Sequence, residues 1–458
     1  MAMKYISTRG DAAPKNFSDV LLEGLAPDGG LYVPENWPVI DLKGLKGKSY
    51  VEVAQAVIAP FTDIPTADLR HILEETYGGP VFNSPHIAPL KKLEDGLYLM
   101  ELFHGPTLAF KDVALQLLGR LFDYTLEKSG KKLVILGATS GDTGSAAIEA
   151  CRDRKNISVY IMHPHNRTSE IQRRQMTSVL APNIHNIAVE GDFDDCQAIV
   201  KQAFADPDLR ALNLSAINSI NWARIIGQTV YYVYACLKLA EEGIENPSFA
   251  VPTGNFGNIY AAYVAKRIGA PIGKLVIGSN RNDILTRFFE TGEMKKAATE
   301  ASLSPSMDIQ VSSNFERYLF EIYDRDGVTI SNLMDQFKTS GSFTVDEERF
   351  AAAGKEFASY RCSDGETLDL IAETFKTWGE VIDPHTAVGL DAALKSGIRP
   401  IVSLACAHAA KFPDSVERAT GKYPELPEAL ADLKMRKEQF EILANDYSAV
   451  KNFILSRQ

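Results

Sequence analysis

The pattern of apolar and polar positions changes character near residue 97. Before it, short apolar runs are broken by turn dipeptides, as in LAPDGGLYVPENWP (25–38), and helical periodicity shows in YVEVAQAVIAPF (50–61). From Leu97 onward, β-type runs KLVILGA (132–138), ISVYIMHP (157–164), NIHNIAVEG (183–191), SFAVPTG (248–254) and IGKLVIGSN (272–280) alternate with helical segments. Strands separated by crossover helices predict parallel sheets flanked by helices. The strands fall into two groups, before and after Asn218, so the expected fold is α/β with two lobes, preceded by an N-terminal α+β layer. The expected divisions are 1–92, 93–217 and 218–458, with a less regular, more charged stretch over 284–383 and a helix over 425–443 (ELPEALADLKMRKEQFEIL). No repeat or low-complexity segment interrupts this.

Three polar loops follow apolar runs and precede helical patterns. In VILGATSGDTGSAAIEA a strand ends near Leu136, the loop carries Thr139, Ser140, Gly141, Asp142, Thr143 and Gly144, and a helix is expected from about Ser145. A helix start offers unpaired N–H groups, and glycine lets a ligand approach the backbone, so the loop suits a carboxylate or phosphate. An ordinary capped strand-to-helix turn has the same appearance. FAVPTGNFGNIYAAYVAK places Gly254, Asn255, Phe256, Gly257 and Asn258 at a second such junction, with glycines three apart and amide side chains between and beyond them. The third loop, LSAINSINWARIIGQTVYY, bunches Asn218, Ser219, Asn221 and Arg224 at the start of an apolar helix, and arginine with hydroxyl and amide donors suits a phosphate dianion. The first of the three is not a Walker A loop, because the GK[ST] ending is absent.

Lys111 lies in FHGPTLAFKDVALQLLGRLF, behind the short residues Gly105, Pro106, Thr107 and Ala109 and the aromatic Phe110, and ahead of an apolar helix. Most lysines are exposed and inert. One held in a partly desolvated pocket can act as a nucleophilic amine. A reactive lysine together with phosphate-binding loops points to pyridoxal 5'-phosphate, which needs both in one site.

Composition narrows the field. The chain has 458 residues, a formal net charge of −11 and a pI near 5.4, which argues against sequence-independent nucleic-acid binding. Cys151, Cys196, Cys236, Cys362 and Cys406 form no CxxC pair, and His163 and His165 flank Pro164 with no carboxylate cluster nearby, so no metal site is expected. No apolar stretch is long enough to span a bilayer and no apolar leader opens the chain, so a cytoplasmic protein, monomer or homodimer, is expected.

The blocks YISTRG, FSDVLLEGLAPDGGLYVPE, HGPTLAFKDVALQ, GATSGDTGSAA, AINSINWARI, PTGNFGN, DPHTAVGLDAA and AHAAKFPDSV, spread nearly end to end, resemble the threonine synthase family. These are pyridoxal-phosphate enzymes of the tryptophan-synthase-β-like fold. The resemblance implies that Lys111 carries the cofactor and that Gly254, Asn255, Phe256, Gly257 and Asn258 hold its phosphate. It also implies that Thr139, Ser140, Asp142 and Thr143 meet the substrate's α-carboxylate, while Asn218, Ser219 and Arg224 hold the substrate phosphate. The implied reaction turns O-phospho-L-homoserine and water into L-threonine and phosphate. Where the family has Thr in a TAHPAKF block, facing the pyridine nitrogen, this chain has Cys406 and, in place of Pro, Ala409. Cys406 then serves as a poorer partner, or Ser403 or a water takes the contact, or Cys406 is simply a small core residue. The rival readings are a phospho-lyase of the same fold that releases phosphate and a 2-oxo acid, and a non-catalytic binding protein.

Overall fold

Each β-type run found in the sequence is a strand, and they sort into two sheets. The computed structural model describes residues 3–139, 141–217 and 219–457, so Ser140 and Asn218 lie outside the described residues. Residues 1–114 with 219–424 form one compact unit and residues 115–218 with 425–458 the other.

The larger unit holds a six-stranded sheet in the order Phe357–Arg361, Leu275–Ser279, Ser248–Pro252, Ile401–Ala405, Leu97–Glu101, Leu90–Glu94. All neighbours are parallel except the last pair, which is antiparallel. Ser248–Pro252 and Ile401–Ala405 are buried at every position, as expected for strands covered on both faces. Helices Trp222–Glu241, Gly257–Arg267, Asp364–Trp378 and Pro384–Ser396 belong to this unit. The N-terminal ribbon Tyr5–Ser7 with Tyr32–Pro34 is part of the same body. The Tyr5 hydroxyl donates to the Phe61 carbonyl at 2.5 Å, the Tyr5 ring lies 5.8 Å from that of Trp222, and Arg9 pairs with Glu316 at 3.1 Å.

The smaller unit holds a five-stranded, all-parallel sheet in the order Glu441–Ala444, Ile184–Glu190, Ile157–Pro164, Leu133–Ala138, Leu214–Ser215. Val134, Leu136, Tyr160, Met162, Ile187 and Val189 build its core with residues of the helix Phe193–Ala205 and of the closing helix Tyr447–Leu455.

Three expectations need correction. The stretch 425–443 is not a helix: it forms 3-10 turns at Glu428–Leu430 and Leu433–Met435, then the edge strand Glu441–Ala444. Tertiary partners outweigh helix propensity there, because Gln439 N–H bonds the Thr177 carbonyl, Glu438 takes Arg173 and Thr177, and the strand pairs with Ile184–Glu190. The division at 92/93 does not separate the two units, since Leu97–Glu101 pairs with Ile401–Ala405 and the chain end returns to the smaller sheet. Finally, the strand after residue 132 runs to Ala138 and its helix begins at Asp142, closing the loop more tightly than expected.

Candidate active site

Lys111 is the first residue of the helix Lys111–Ser129 and is 8 % exposed. The loop before it is held from two sides. Thr107 donates its N–H and its hydroxyl to Asp112, at 2.8 and 2.7 Å, and Leu108 takes φ 60°. Phe110 N–H bonds the Cys406 carbonyl at 2.7 Å, His408 N–H bonds the Leu108 carbonyl, and the Lys411 ammonium bonds the Thr107 carbonyl at 2.6 Å. Gly105 is obligatory, because a Cβ there would lie 2.4 Å from that of Asp112. The Lys111 Nζ lies 3.4 Å from the Ser306 hydroxyl and 5.7 Å from the Phe110 ring centre.

In the same unit, strand Ser248–Pro252 leads through residues 253–256 into the helix Gly257–Arg267. No side chain caps this helix, and its N-cap, Phe256, has φ 61°, a left-handed conformation unusual for a bulky residue. The first bond back to the cap is Tyr260 N–H to the Phe256 carbonyl, which leaves the N–H groups of Gly257, Asn258 and Ile259 without intrahelical acceptors. The Phe256 ring packs on Phe315 and Phe357. Asn258 Oδ1 accepts from the hydroxyls of Tyr231 and Tyr232, while its buried Nδ2 has no partner.

Residues 306–317, within the stretch that carried no assignment from the sequence, lace these parts together. A Cβ at Gly254 would lie 3.2 Å from Met307 Cα and 3.1 Å from Ile309 Cδ1, and Ser312 donates to the Gly254 carbonyl at 2.6 Å. Ser313 donates to Asn255 Oδ1 at 3.3 Å and lies 3.5 Å from the Ser219 hydroxyl. Asn314 Nδ2 donates to the Ser219 and Asn255 carbonyls, and the fully buried Arg317 donates to the carbonyls of Ile220 and Tyr32. The only sequence signal here was a run of serines and an asparagine before a helix, which local reading assigns to a loop.

Arg224 sits in the first turn of Trp222–Glu241, whose N-cap is Asn221. It is 4 % exposed, its Nε has no partner, and burial pushes its guanidinium down to about 10. Among the described residues no carboxylate pairs with it. A buried cation without a carboxylate partner is costly, and an anion would relieve that cost.

In the smaller unit, the Thr139 hydroxyl oxygen accepts the N–H groups of Gly141 and Gly144 at 3.0 and 3.1 Å, which shapes the loop and leaves the hydroxyl proton to donate. A Cβ at Gly144 would meet Thr139 Cγ2 at 2.2 Å. Asp142 is buried and accepts from Gln172 Nε2 at 3.1 Å, leaving its backbone rather than its carboxylate suited to an anion. Thr143 is half-buried in the first turn of Asp142–Cys151.

Cys406 is buried just after the strand Ile401–Ala405, and its N–H bonds the Thr386 hydroxyl at 3.1 Å. Ser403 is fully buried with its hydroxyl unpartnered, 3.3 Å from where a Gly389 Cβ would stand. No group of three or more His, Cys, Asp or Glu able to hold a metal exists among the described residues.

A buried lysine, an uncapped helix start with an orphaned amide donor and a buried guanidinium whose Nε has no partner fit a cofactor that carries a phosphate and an aldehyde. The comparisons agree. Residues 72–405 match the model described as pyridoxal-phosphate dependent enzyme, residues 4–77 that of the threonine synthase N terminus, and residues 386–454 that of the threonine synthase C-terminal part. The threonine synthase of Pseudomonas aeruginosa is 52 % identical over 99 % of this chain and 98 % of its own. The crystal structure of pyridoxal-phosphate-bound threonine synthase from Brucella melitensis superposes with a TM-score of 0.97 at 48 % identity, covering 100 % of this chain and 99 % of that one. The yeast threonine synthase structure gives 0.94 at 38 % identity over 99 % and 98 %. The chain belongs to the threonine synthase family of pyridoxal-phosphate-dependent enzymes.

Proposed function

We propose that the protein converts O-phospho-L-homoserine and water to L-threonine and inorganic phosphate, a carbon–oxygen lyase reaction on a phosphorylated substrate. The observation that carries this reading is Arg224, a buried guanidinium with no counter-ion among the described residues, in the same unit as Lys111 and the uncapped loop 254–258. A cofactor phosphate satisfies the loop, and the guanidinium calls for a second anion, as a phosphorylated substrate provides.

Bound pyridoxal phosphate supplies an electron sink for charge developing beside the substrate amine. Lys111 is the residue that attaches it and, once released, moves protons at Cα. The backbone N–H groups of Gly254, Asn255, Phe256, Gly257 and Asn258 hold its phosphate, with Asn258 Nδ2 as an added donor. Cys406 is the candidate neighbour of the pyridine nitrogen. The N–H groups of Asp142 and Thr143, with Thr139, take the substrate carboxylate, and Ser219 and Arg224 its phosphate. Ser140 and Asn218 share these roles by resemblance alone. Five buried free cysteines support a reducing, cytoplasmic setting, and a monomer or homodimer is the assembly we favour.

The test is a product assay: purified protein with pyridoxal phosphate and O-phospho-L-homoserine, followed by NMR. Equal phosphate and threonine are expected. Phosphate with 2-oxobutyrate would replace this reading with a phospho-lyase.

A further inference from the structure

Two hydrogen-bonded chains, one from the Lys111 amine and one from the N–H of the preceding Phe110, meet at one carboxylate. Along the side chain, the Lys111 ammonium donates to the Ser306 hydroxyl at 3.4 Å, Ser306 N–H donates to His385 Nε2 at 3.3 Å, and His385 Nδ1 lies 2.8 Å from Asp383 Oδ1. Because Nε2 accepts, the proton of this imidazole is on Nδ1 and is donated to Asp383. Along the backbone, Phe110 N–H donates to the Cys406 carbonyl at 2.7 Å, Cys406 N–H donates to the Thr386 hydroxyl at 3.1 Å, and that hydroxyl donates to Asp383 Oδ2. Asp383 also caps its own helix, Pro384–Ser396, by accepting the N–H groups of His385 and Thr386. It is fully buried, and both its oxygens are engaged.

Ser306 is fixed from its other flank as well. It lies in the 3-10 turn Pro305–Met307, whose Met307 packs with Val388 and Cys362. Asp308, two residues on, accepts from Asn280 Nδ2, Asn282 Nδ2 and the Ser302 hydroxyl at 2.6 to 2.9 Å. The His385 ring is held against Phe412, with centres 4.9 Å apart.

We propose that Ser306, oriented by the His385–Asp383 pair, is the positioning residue for the Lys111 amine. Its hydroxyl sets the direction of Nζ both for attachment to the cofactor and for proton transfer once the lysine is released. The closed ring through Asp383 refers the lysine's backbone and its amine to one rigid point, which is how a long, flexible side chain is held to the tolerance that reaction geometry needs. This inference rests on Lys111 being the cofactor lysine.

The experiment compares Ser306→Ala, Ser306→Cys, Ser306→Thr and the unaltered chain. For each apoprotein, the rate at which added pyridoxal phosphate becomes lysine-bound is followed by absorbance, melting temperature is recorded, and kcat and KM for threonine formation are measured separately on the loaded enzyme. Ser306→Ala and the near-isosteric but weakly accepting Ser306→Cys are expected to slow attachment and lower kcat by about tenfold or more, the effect of one hydrogen bond to a charged group, with KM within about twofold. Ser306→Thr is expected to restore most of both. Attachment and kcat at the unaltered rates in Ser306→Ala would overturn the proposal, as would equal losses in the Ala and Thr variants at unchanged melting temperature. Should Ser306→Ala fail to fold, the Cys and Thr pair decides. If the unaltered chain attached the cofactor but made no threonine, the proposed reaction would fall while the attachment rates still tested Ser306.

Discussion

Asn314 grips the main-chain oxygen of Asn255 twice, with its backbone N–H at 3.1 Å and its Nδ2 at 3.0 Å. The same Nδ2 reaches the Ser219 carbonyl at 3.1 Å, so one fully buried amide fixes the candidate cofactor loop against the candidate substrate-phosphate segment. Asn314→Ala is expected to weaken pyridoxal phosphate binding by about tenfold or more and to cost about 2–3 kcal/mol of stability, since it breaks a buried network. Fluorescence titration and urea unfolding check the two parts. Unchanged cofactor affinity would dissociate the Asn314 clamp from the loop's function.

Arg224 carries a buried charge without a counter-ion among the described residues, and burial pushes its guanidinium down to about 10, well below the ordinary arginine value. Between about 10 and the ordinary arginine value the unfolded chain holds more protons than the folded one, so stability rises with pH there, and the penalty is fully present below about 10. Arg224→Met is therefore expected to stabilise the ligand-free protein by about 1–3 kcal/mol at neutral pH, a gain that shrinks above pH 10. Inorganic phosphate should raise the melting temperature of the unaltered protein and not that of Arg224→Met, while the variant's KM rises steeply. A less stable Arg224→Met would show that the charge is already compensated.

Lys111→Ala should leave the fold intact, because the loop is held by Thr107, Asp112, Lys411 and the Phe110–Cys406 bond rather than by the lysine amine. Turnover and the absorbance of lysine-bound cofactor should both vanish, with far-UV circular dichroism unchanged. Threonine formation by this variant would remove Lys111 from the mechanism.

Gly119 lies in the middle of the lysine-bearing helix, where alanine would ordinarily stabilise by about 1 kcal/mol. A Cβ there would stand 2.1 Å from the Ala150 carbonyl oxygen, a backbone atom that cannot rotate away. Gly119→Ala is thus expected to destabilise by about 1–3 kcal/mol, read as a lower urea midpoint. A stabilised variant would show that the two helices separate freely.

At Cys406 the hydrogen bonds to Thr386 and Phe110 belong to the backbone, so a change of side chain leaves them in place. Cys406→Ser is expected to keep stability within about 1 kcal/mol while shifting the absorbance of the bound cofactor, since a hydroxyl is the stronger partner for a ring nitrogen. An unshifted spectrum would assign that contact to another group.

Lys111, the loops at 139–144 and 254–258, and Arg224 were legible in the sequence as candidates because each is a local pattern: an apolar run, small or polar residues, then helical periodicity. Ser306, Asn314, Asp383 and His385 were not legible as parts of the site, although DPHTA and SSNFER are plain to see. Their partners lie 79 to 195 residues away for Ser306 and 59 and 95 away for Asn314, and side-chain pairing across such distances leaves no periodic trace. The helix expected over 425–443 failed for the same reason, since the edge of a distant sheet offered that backbone its bonds.

The sequence by itself determined most of the strands and helices outside 425–443, where glycine must stand, and the kinds of chemistry Lys111 and Arg224 can perform, because these depend on periodicity, backbone sterics and side-chain identity. Tertiary structure alone decided that Leu97–Glu101 joins the later strands, that the chain's end completes the earlier sheet, and that residues 306–317 bind the site's parts together. Those choices follow from burying apolar faces and satisfying every enclosed polar group at once, a condition on the whole chain that no window of it contains.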